Sequence, residues 1–178
     1  MATTHAALLG RMALCRRLTA PELDAIAAIT ATREITAGSE LFREGDAGDG
    51  LYVVMVGEIN VVKRAPDGEH SLAKLGPDGV LGEMSLITSD ARSATGRALT
   101  ATTALHLPAR EFRALLDSGS PAALKIAAGI AEVLARRLAT MNGVVLGLAK
   151  VDPAGATRPG LRTQDLRELH RTMQVWSI

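Results

Sequence analysis

The sequence predicts an α+β protein: an antiparallel barrel or sandwich of about eight short strands, with a helix before it and helices after it. Two observations carry this expectation. Glycines and turn residues concentrate between about residues 37 and 96, whereas Ala, Leu and Arg dominate on either side. Within that centre, short apolar runs alternate with turns at the spacing of an antiparallel barrel or sandwich.

The first helix starts at Thr19-Ala-Pro-Glu22, where Thr at the N-cap and Glu three residues later make a capping box. Pro21 falls in the first turn, where a missing N–H costs nothing. Leu23, Ile26, Ala27 and Ile29 supply an apolar face. From Arg33 onward the candidate strands are Glu34–Thr36, Leu41–Phe42, Leu51–Val56, Ile59–Val62, Leu72–Leu75, Val80–Leu81 and Thr95–Leu107. Ala65-Pro-Asp-Gly-Glu69 reads as a hairpin turn, and Pro108 ends the strands.

Residues 110–117 and a run from Pro121 to about Lys150 read as helices. The second carries Leu124, Ala127, Ala128, Ala131, Leu134, Ala135 and Leu138 at helical spacing. Residues 153–160 are a Pro- and Gly-bearing linker. Over 161–178, Leu166, Leu169, Met173 and Trp176 fall three or four apart, as in a short amphipathic helix. The expected organisation is thus one domain over 1–152, with strands over about 32–108 and closing helices over about 109–150.

With 178 residues, the chain suits one globular domain that needs neither disulfide nor metal to hold its core. Its single Cys15 cannot form an internal disulfide or a structural zinc site, and a reducing cytoplasm is the simplest expectation. Twenty Lys and Arg against nineteen Asp and Glu give a formal charge of +1, which supplies no global attraction to nucleic acid or membrane. Four aromatics, Phe42, Tyr52, Phe112 and Trp176, are too few for a base-stacking platform. No apolar run is long enough for a membrane span, and the N-terminus lacks the pattern of a secretory signal. His5, His70, His106 and His170 are scattered without metal-ligand spacing and read as surface or strand residues. No nucleophile–base constellation marks an enzyme.

The chemistry concentrates in Leu81-Gly-Glu-Met-Ser-Leu-Ile-Thr-Ser-Asp-Ala-Arg-Ser-Ala-Thr95, where Glu83 precedes Arg92 across a short turn or helix. An isolated acid and base would be an exposed ion pair worth about 0–1 kcal/mol. This loop instead suits a small anionic ligand: Gly82 allows close backbone approach, the following amides are donors, and Arg92 can grip a phosphate with two nitrogens. Glu83 is suited to accept from a sugar hydroxyl while pairing with Arg92.

Gly82-Glu83, Ser85-Leu86 and Arg92-Ser93-Ala94 resemble the phosphate-binding cassette of the cyclic-nucleotide-binding domain family, which includes catabolite-activator-type regulators, kinase regulatory subunits and gated channels. Glu44-Gly-Asp-Ala-Gly-Asp-Gly-Leu-Tyr52 with Gly57 resembles a second signature of that family. The resemblance covers residue 10 to about 152 and implies a β-roll or jelly-roll.

It also implies roles. Arg92 would bind the equatorial oxygens of a cyclic phosphate, Ser93 would add a hydroxyl and Glu83 would hold the ribose 2′-OH. Gly82, Ala94 and the amides of Met84 and Ser85 would complete the cradle. Val61, Leu72, Leu75 and Met84 would line the base, and Arg137, Met141 and Asn142 of the long helix would close over the ligand. Pro77-Asp78-Gly79 departs from the family's Pro-Gly-Asp, and Gly96 replaces a β-branched residue.

The expected function is a sensor of a cyclic nucleotide, with Ser93 leaning toward cAMP over cGMP, and with no cofactor. The expected output is a conformational change passed to a dimer interface or effector protein through the C-terminal helices. Ala127, Ala131, Leu134, Leu138 and Val145 form a small aliphatic face suited to helix pairing, with core packing the competing account of the same face. After Asp152 only 26 residues remain, too few for a winged helix-turn-helix, so DNA binding is not expected. The alternative is a degenerate scaffold that keeps the fold and binds no nucleotide.

Overall fold

The structure is a computed structural model and describes residues 4–88 and 90–148. The expected linker and terminal helix lie outside the described residues. Eight strands form two four-stranded antiparallel sheets rather than a closed barrel. The first sheet has the order β1 (Ala31–Ile35), β8 (Thr102–Pro108), β3 (Gly50–Val56), β6 (Val80–Leu81). The second has the order β2 (Glu40–Phe42), β7 (Thr95–Ala98), β4 (Ile59–Ala65), β5 (Gly68–Leu75). The expected strand boundaries hold to within a few residues, except that the run from Thr95 divides into β7 and β8.

Strand alternation makes the first sheet the central layer. On β3, Leu51 and Val53 pack into a core shared with the helices, whereas Tyr52 and Val54 face the second sheet. On β8, Leu105 and Leu107 join the helical side and Ala104 the inter-sheet side. The inter-sheet core is completed by Ile59, Ala73, Leu75, Leu81 and Ala98.

Helices cover the other face of the first sheet. Two short elements precede the first expected helix: α1 (Thr4–Leu9) and a 3-10 turn at Ala13–Cys15. Then come α2 (Ala20–Ala27), α3 (Glu83–Thr88), α4 (Ala109–Asp117) and the long α5 (Pro121–Leu148). At the start of α2, Glu22 accepts from the Thr19 N–H at 2.7 Å and from its hydroxyl at 3.0 Å, and also takes Lys125 of α5 at 2.7 Å. The expected cap therefore also ties α2 to α5. Helix α5 buries Ala122, Ala123, Ile126 and Ile130 against the core. Cys15 is buried as a small apolar residue, and burial pushes its thiol up to about 12.

Candidate functional site

The two sequence motifs meet along the backbone. The loop between β2 and β3 donates from Gly45 N–H to the Arg92 carbonyl at 2.9 Å, and Arg92 N–H donates to the Asp46 carbonyl at 2.8 Å. Gly48 lies against α3 so closely that a Cβ would stand 2.3 Å from the Ser85 Cβ. Gly82 turns the chain into α3 at φ +79°, and a Cβ there would meet Arg92 Nη1 at 2.0 Å. Both positions therefore require glycine, one for approach and the other for approach and backbone conformation.

These contacts deliver the Arg92 side chain into the protein, where it is 1% exposed. Its guanidinium carbon lies 4.1 Å from the Phe42 ring centroid and 5.5 Å from that of Tyr52, so the cation rests on aromatic faces. Nη2 donates to Asp49 Oδ1, and Nη1 reaches Ser85 Oγ at 3.4 Å. Nε is a buried donor with no hydrogen-bond partner.

Asp49 collects three groups. It takes Arg92, accepts from the Tyr52 hydroxyl at 2.7 Å, and has His106 Nε2 at 3.6 Å from Oδ2. Partial burial works to raise the Asp49 carboxyl, but the Tyr52 hydroxyl and the charges of Arg92 and His106 outweigh it and hold it below its ordinary value. His106 and Tyr52 are direct cross-strand partners on β8 and β3, and their rings stack at 4.4 Å and 14°. Burial lowers the His106 pKa; the Asp49 charge opposes this, and Arg33 and Arg92 reinforce it. Burial and the bond to Asp49 raise the Tyr52 hydroxyl well above its usual range, so it stays a donor.

The family model described as a cyclic nucleotide-binding domain matches residues 32–118, which span all eight strands but the first residue of β1. A CRP-like cAMP-activated global transcriptional regulator from Mycobacterium tuberculosis (strain CDC 1551 / Oshkosh) is 31% identical over 138 residues, covering 75% of this chain and 60% of the regulator. The N-terminal domain of a transcriptional regulator from Streptomyces coelicolor A3(2) superposes with a TM-score of 0.62 at 32% identity, covering 82% of this chain and 96% of that one. A cyclic nucleotide-binding domain from Methylobacillus flagellatus shares the fold, with a TM-score of 0.69 at 24% identity and 84% coverage of both chains. The chain belongs to the cyclic nucleotide-binding domain family. It spans less than two thirds of the length of the M. tuberculosis regulator.

Within this cyclic nucleotide-binding domain the structure brings most of the expected residues to one place. Gly82, Glu83, Met84 and Ser85 form the entry to α3, with Glu83 and Ser85 buried and Met84 44% exposed. Arg92 and Ala94 are buried, and Ser93 between them is exposed. Val61 packs beside the inter-sheet core from β4. Leu72 is the extra residue of a β-bulge on β5, because Val61 pairs with Ala73 while Val62 pairs with Ser71. Leu75 is 2% exposed within the core opposite Ile59, so its contribution is to the core that backs the site. The side chains of Arg137, Met141 and Asn142 lie outside the described residues, although the backbone of α5 continues through them.

Asp49, Phe42, Tyr52 and His106 complete the surroundings of Arg92 and were assigned no role from the sequence. Asp49 and Tyr52 stand inside the Glu44–Tyr52 motif. His106 is a strand residue, on β8, and is buried at 4% exposure. A separate concavity of about 600 Å³ lies on the outer face of the second sheet, lined by residues including Glu40, Arg43, Glu69 and Arg97. Within it Arg97 pairs with Glu40 at 3.0 Å and with Glu69 at 2.9 Å, and it holds none of the residues 82–94.

Proposed function

We propose that this protein is a sensor that binds a 3′,5′-cyclic nucleotide, cAMP in preference to cGMP, at residues 82–94, and that it works by binding rather than turnover. The observation that carries the reading is Arg92: a buried cation over two neighbouring aromatic rings, with a donor still unpartnered, flanked by the exposed Ser93. A phosphate is the group whose charge and lone pairs satisfy such a cation. In this reading Glu83 takes the ribose 2′-OH, the Met84 and Ser85 amides and Ser93 complete the cradle, Val61 and Leu72 flank the base, and α5 closes through Arg137, Met141 and Asn142. The preference for cAMP is supported by Ser93 and by the M. tuberculosis relative, which is described as cAMP-activated.

With only 1% of its side chain exposed, Arg92 reaches a phosphate only when the cassette opens. Opening has a mechanical route: Arg113 of α4 donates to the Ser85 carbonyl at 3.1 Å, and α4 packs on α5. Along α5, Leu124 (53% exposed) and Leu138 (61% exposed) lie on either side of the exposed Ala131 at intervals of seven. That stripe suits pairing with a second copy or an effector helix. A ligand drives this change only to the extent that it binds the open state more tightly. Among the described residues no helix is long and apolar enough to cross a membrane.

Calorimetric titration with cAMP, cGMP and 5′-AMP tests the reading. Binding of a cyclic nucleotide is expected, with cAMP tightest, and Arg92→Leu is expected to weaken it by about one to two decades. A protein that binds neither cyclic nucleotide at millimolar concentration would instead be the interaction scaffold.

A further inference from the structure

Lys63 stands on β4 two residues beyond Val61. The bulge in the β4–β5 pairing adds its extra residue on β5 and leaves β4 regular, so Val61 and Lys63 project from the same face. From there the ammonium donates to the Ser93 carbonyl at 2.7 Å and to Glu44 Oε1 at 2.6 Å. Glu44 is itself fixed, since its Oε2 accepts from Arg64 N–H at 3.2 Å and its own N–H donates to the Thr95 hydroxyl at 3.0 Å. One lysine thereby joins the first motif, through Glu44, to the arginine-bearing segment of the second.

The bond to Ser93 has a directional consequence. A trans peptide is planar, with its C=O and N–H pointing oppositely, and the described residues contain no cis peptide bond. Drawing the Ser93 carbonyl to Lys63 turns the Ala94 N–H to the other side. Ala94 itself is 8% exposed, and its N–H, turned away from Lys63, is a donor for an acceptor on that opposite side. We propose that Lys63 is a positioning residue of the phosphate cradle, which holds the Ser93–Ala94 peptide so that the Ala94 N–H is presented to a phosphate oxygen of the ligand. The inference rests on the cyclic-nucleotide reading above. Glu44 neutralises the ammonium at close range, so the contribution is one of orientation and not of charge.

The test compares Lys63→Met and Lys63→Arg with the unaltered chain by calorimetric titration with cAMP at low and high salt, and follows the Ala94 amide proton by NMR. Lys63→Met is expected to weaken cAMP about three- to tenfold, the worth of one hydrogen bond, and equally at both salt concentrations. The Ala94 amide proton should move downfield on cAMP addition in the unaltered chain, should not do so in Lys63→Met, and should recover in Lys63→Arg. If Lys63→Met does not fold, Lys63→Gln, whose amide ends short of the Ser93 carbonyl, is expected to show the same loss of affinity and of the amide shift. Unchanged affinity, an unchanged Ala94 shift, or a loss that vanishes at high salt would overturn the assignment. An unaltered chain that binds no cyclic nucleotide overturns the functional reading together with it; tight binding unaffected by these variants overturns the role of Lys63 alone.

Discussion

Arg92 and Asp49 form an asymmetric pair: the arginine side chain is 1% exposed and the aspartate 54% exposed, so the buried cation is held from its water side. Removing one partner of a buried pair leaves the other charge uncompensated, whereas an exposed partner contributes less. Asp49→Asn keeps the shape and a neutral acceptor but deletes the charge. It is expected to lower stability by about 1–3 kcal/mol, read as a reduced urea midpoint with an unchanged slope. An unchanged midpoint would show that the pair contributes nothing to the folded state.

Gly82→Ala tests the approach of the backbone to the guanidinium. The added Cβ would stand 2.0 Å from Arg92 Nη1 and 2.7 Å from the Gly50 carbonyl oxygen, and φ of +79° is unfavourable to any side chain. The carbonyl cannot yield cheaply, so the loss is expected at about 2–4 kcal/mol, combining overpacking with backbone strain. Thermal unfolding measures it. A melting temperature equal to that of the unaltered chain would mean that Arg92 and Gly82 are not in contact.

Pro77-Asp78-Gly79, the departure from the family pattern, has a visible cost. Asp78 adopts φ +66°, and is the one non-glycine residue with positive φ among those described. The left-handed region costs an L-residue roughly 1–2 kcal/mol, and somewhat less for Asp. The side chain offers little in return, because its contact with Arg11 at 3.3 Å joins two exposed groups. Asp78→Gly is therefore expected to stabilise the protein by about 0.5–1 kcal/mol in urea unfolding. Destabilisation would mean that the Arg11 contact outweighs the backbone strain.

The strands and closing helices were legible in the sequence because their signals are local: turn residues bound each strand, and helical periodicity marks α4 and α5. That Gly82 and Ser85 lie beside Arg92 was legible for the same reason, these residues being close in the chain. The rest of what surrounds Arg92 was not. Asp49 lies 43 residues before it, and Phe42, Tyr52 and His106 come from three strands whose convergence depends on how two sheets face each other. Even the register that stacks His106 on Tyr52 is a property of the β3–β8 pairing and of neither strand alone. Strand spacing left a barrel and a sandwich both open, since strand number and spacing do not fix which edges pair, and the structure resolves that choice as two four-stranded sheets.

His106 contributes to the loss of stability on mild acidification. Its folded pKa lies below the ordinary value because burial disfavours the imidazolium, with the Asp49 charge opposing and Arg33 and Arg92 assisting. The unfolded chain therefore binds the proton first as pH falls. The stability that neutral His106 allows is complete above about pH 6.5, declines as pH drops below that value, and stops declining once the folded histidine is also protonated. Asp49 is displaced in the same direction from a lower starting point, so its loss belongs to a more acidic window, below about pH 4. Urea midpoints of the unaltered chain and of His106→Asn, compared between about pH 7.5 and 5, separate the two groups. The unaltered chain is expected to lose stability across that interval more steeply than the variant, since His5, His70 and His170 are common to both. Parallel profiles would mean that His106 takes up its proton as readily folded as unfolded, and that the stacked ring beside Asp49 is not shielded from water.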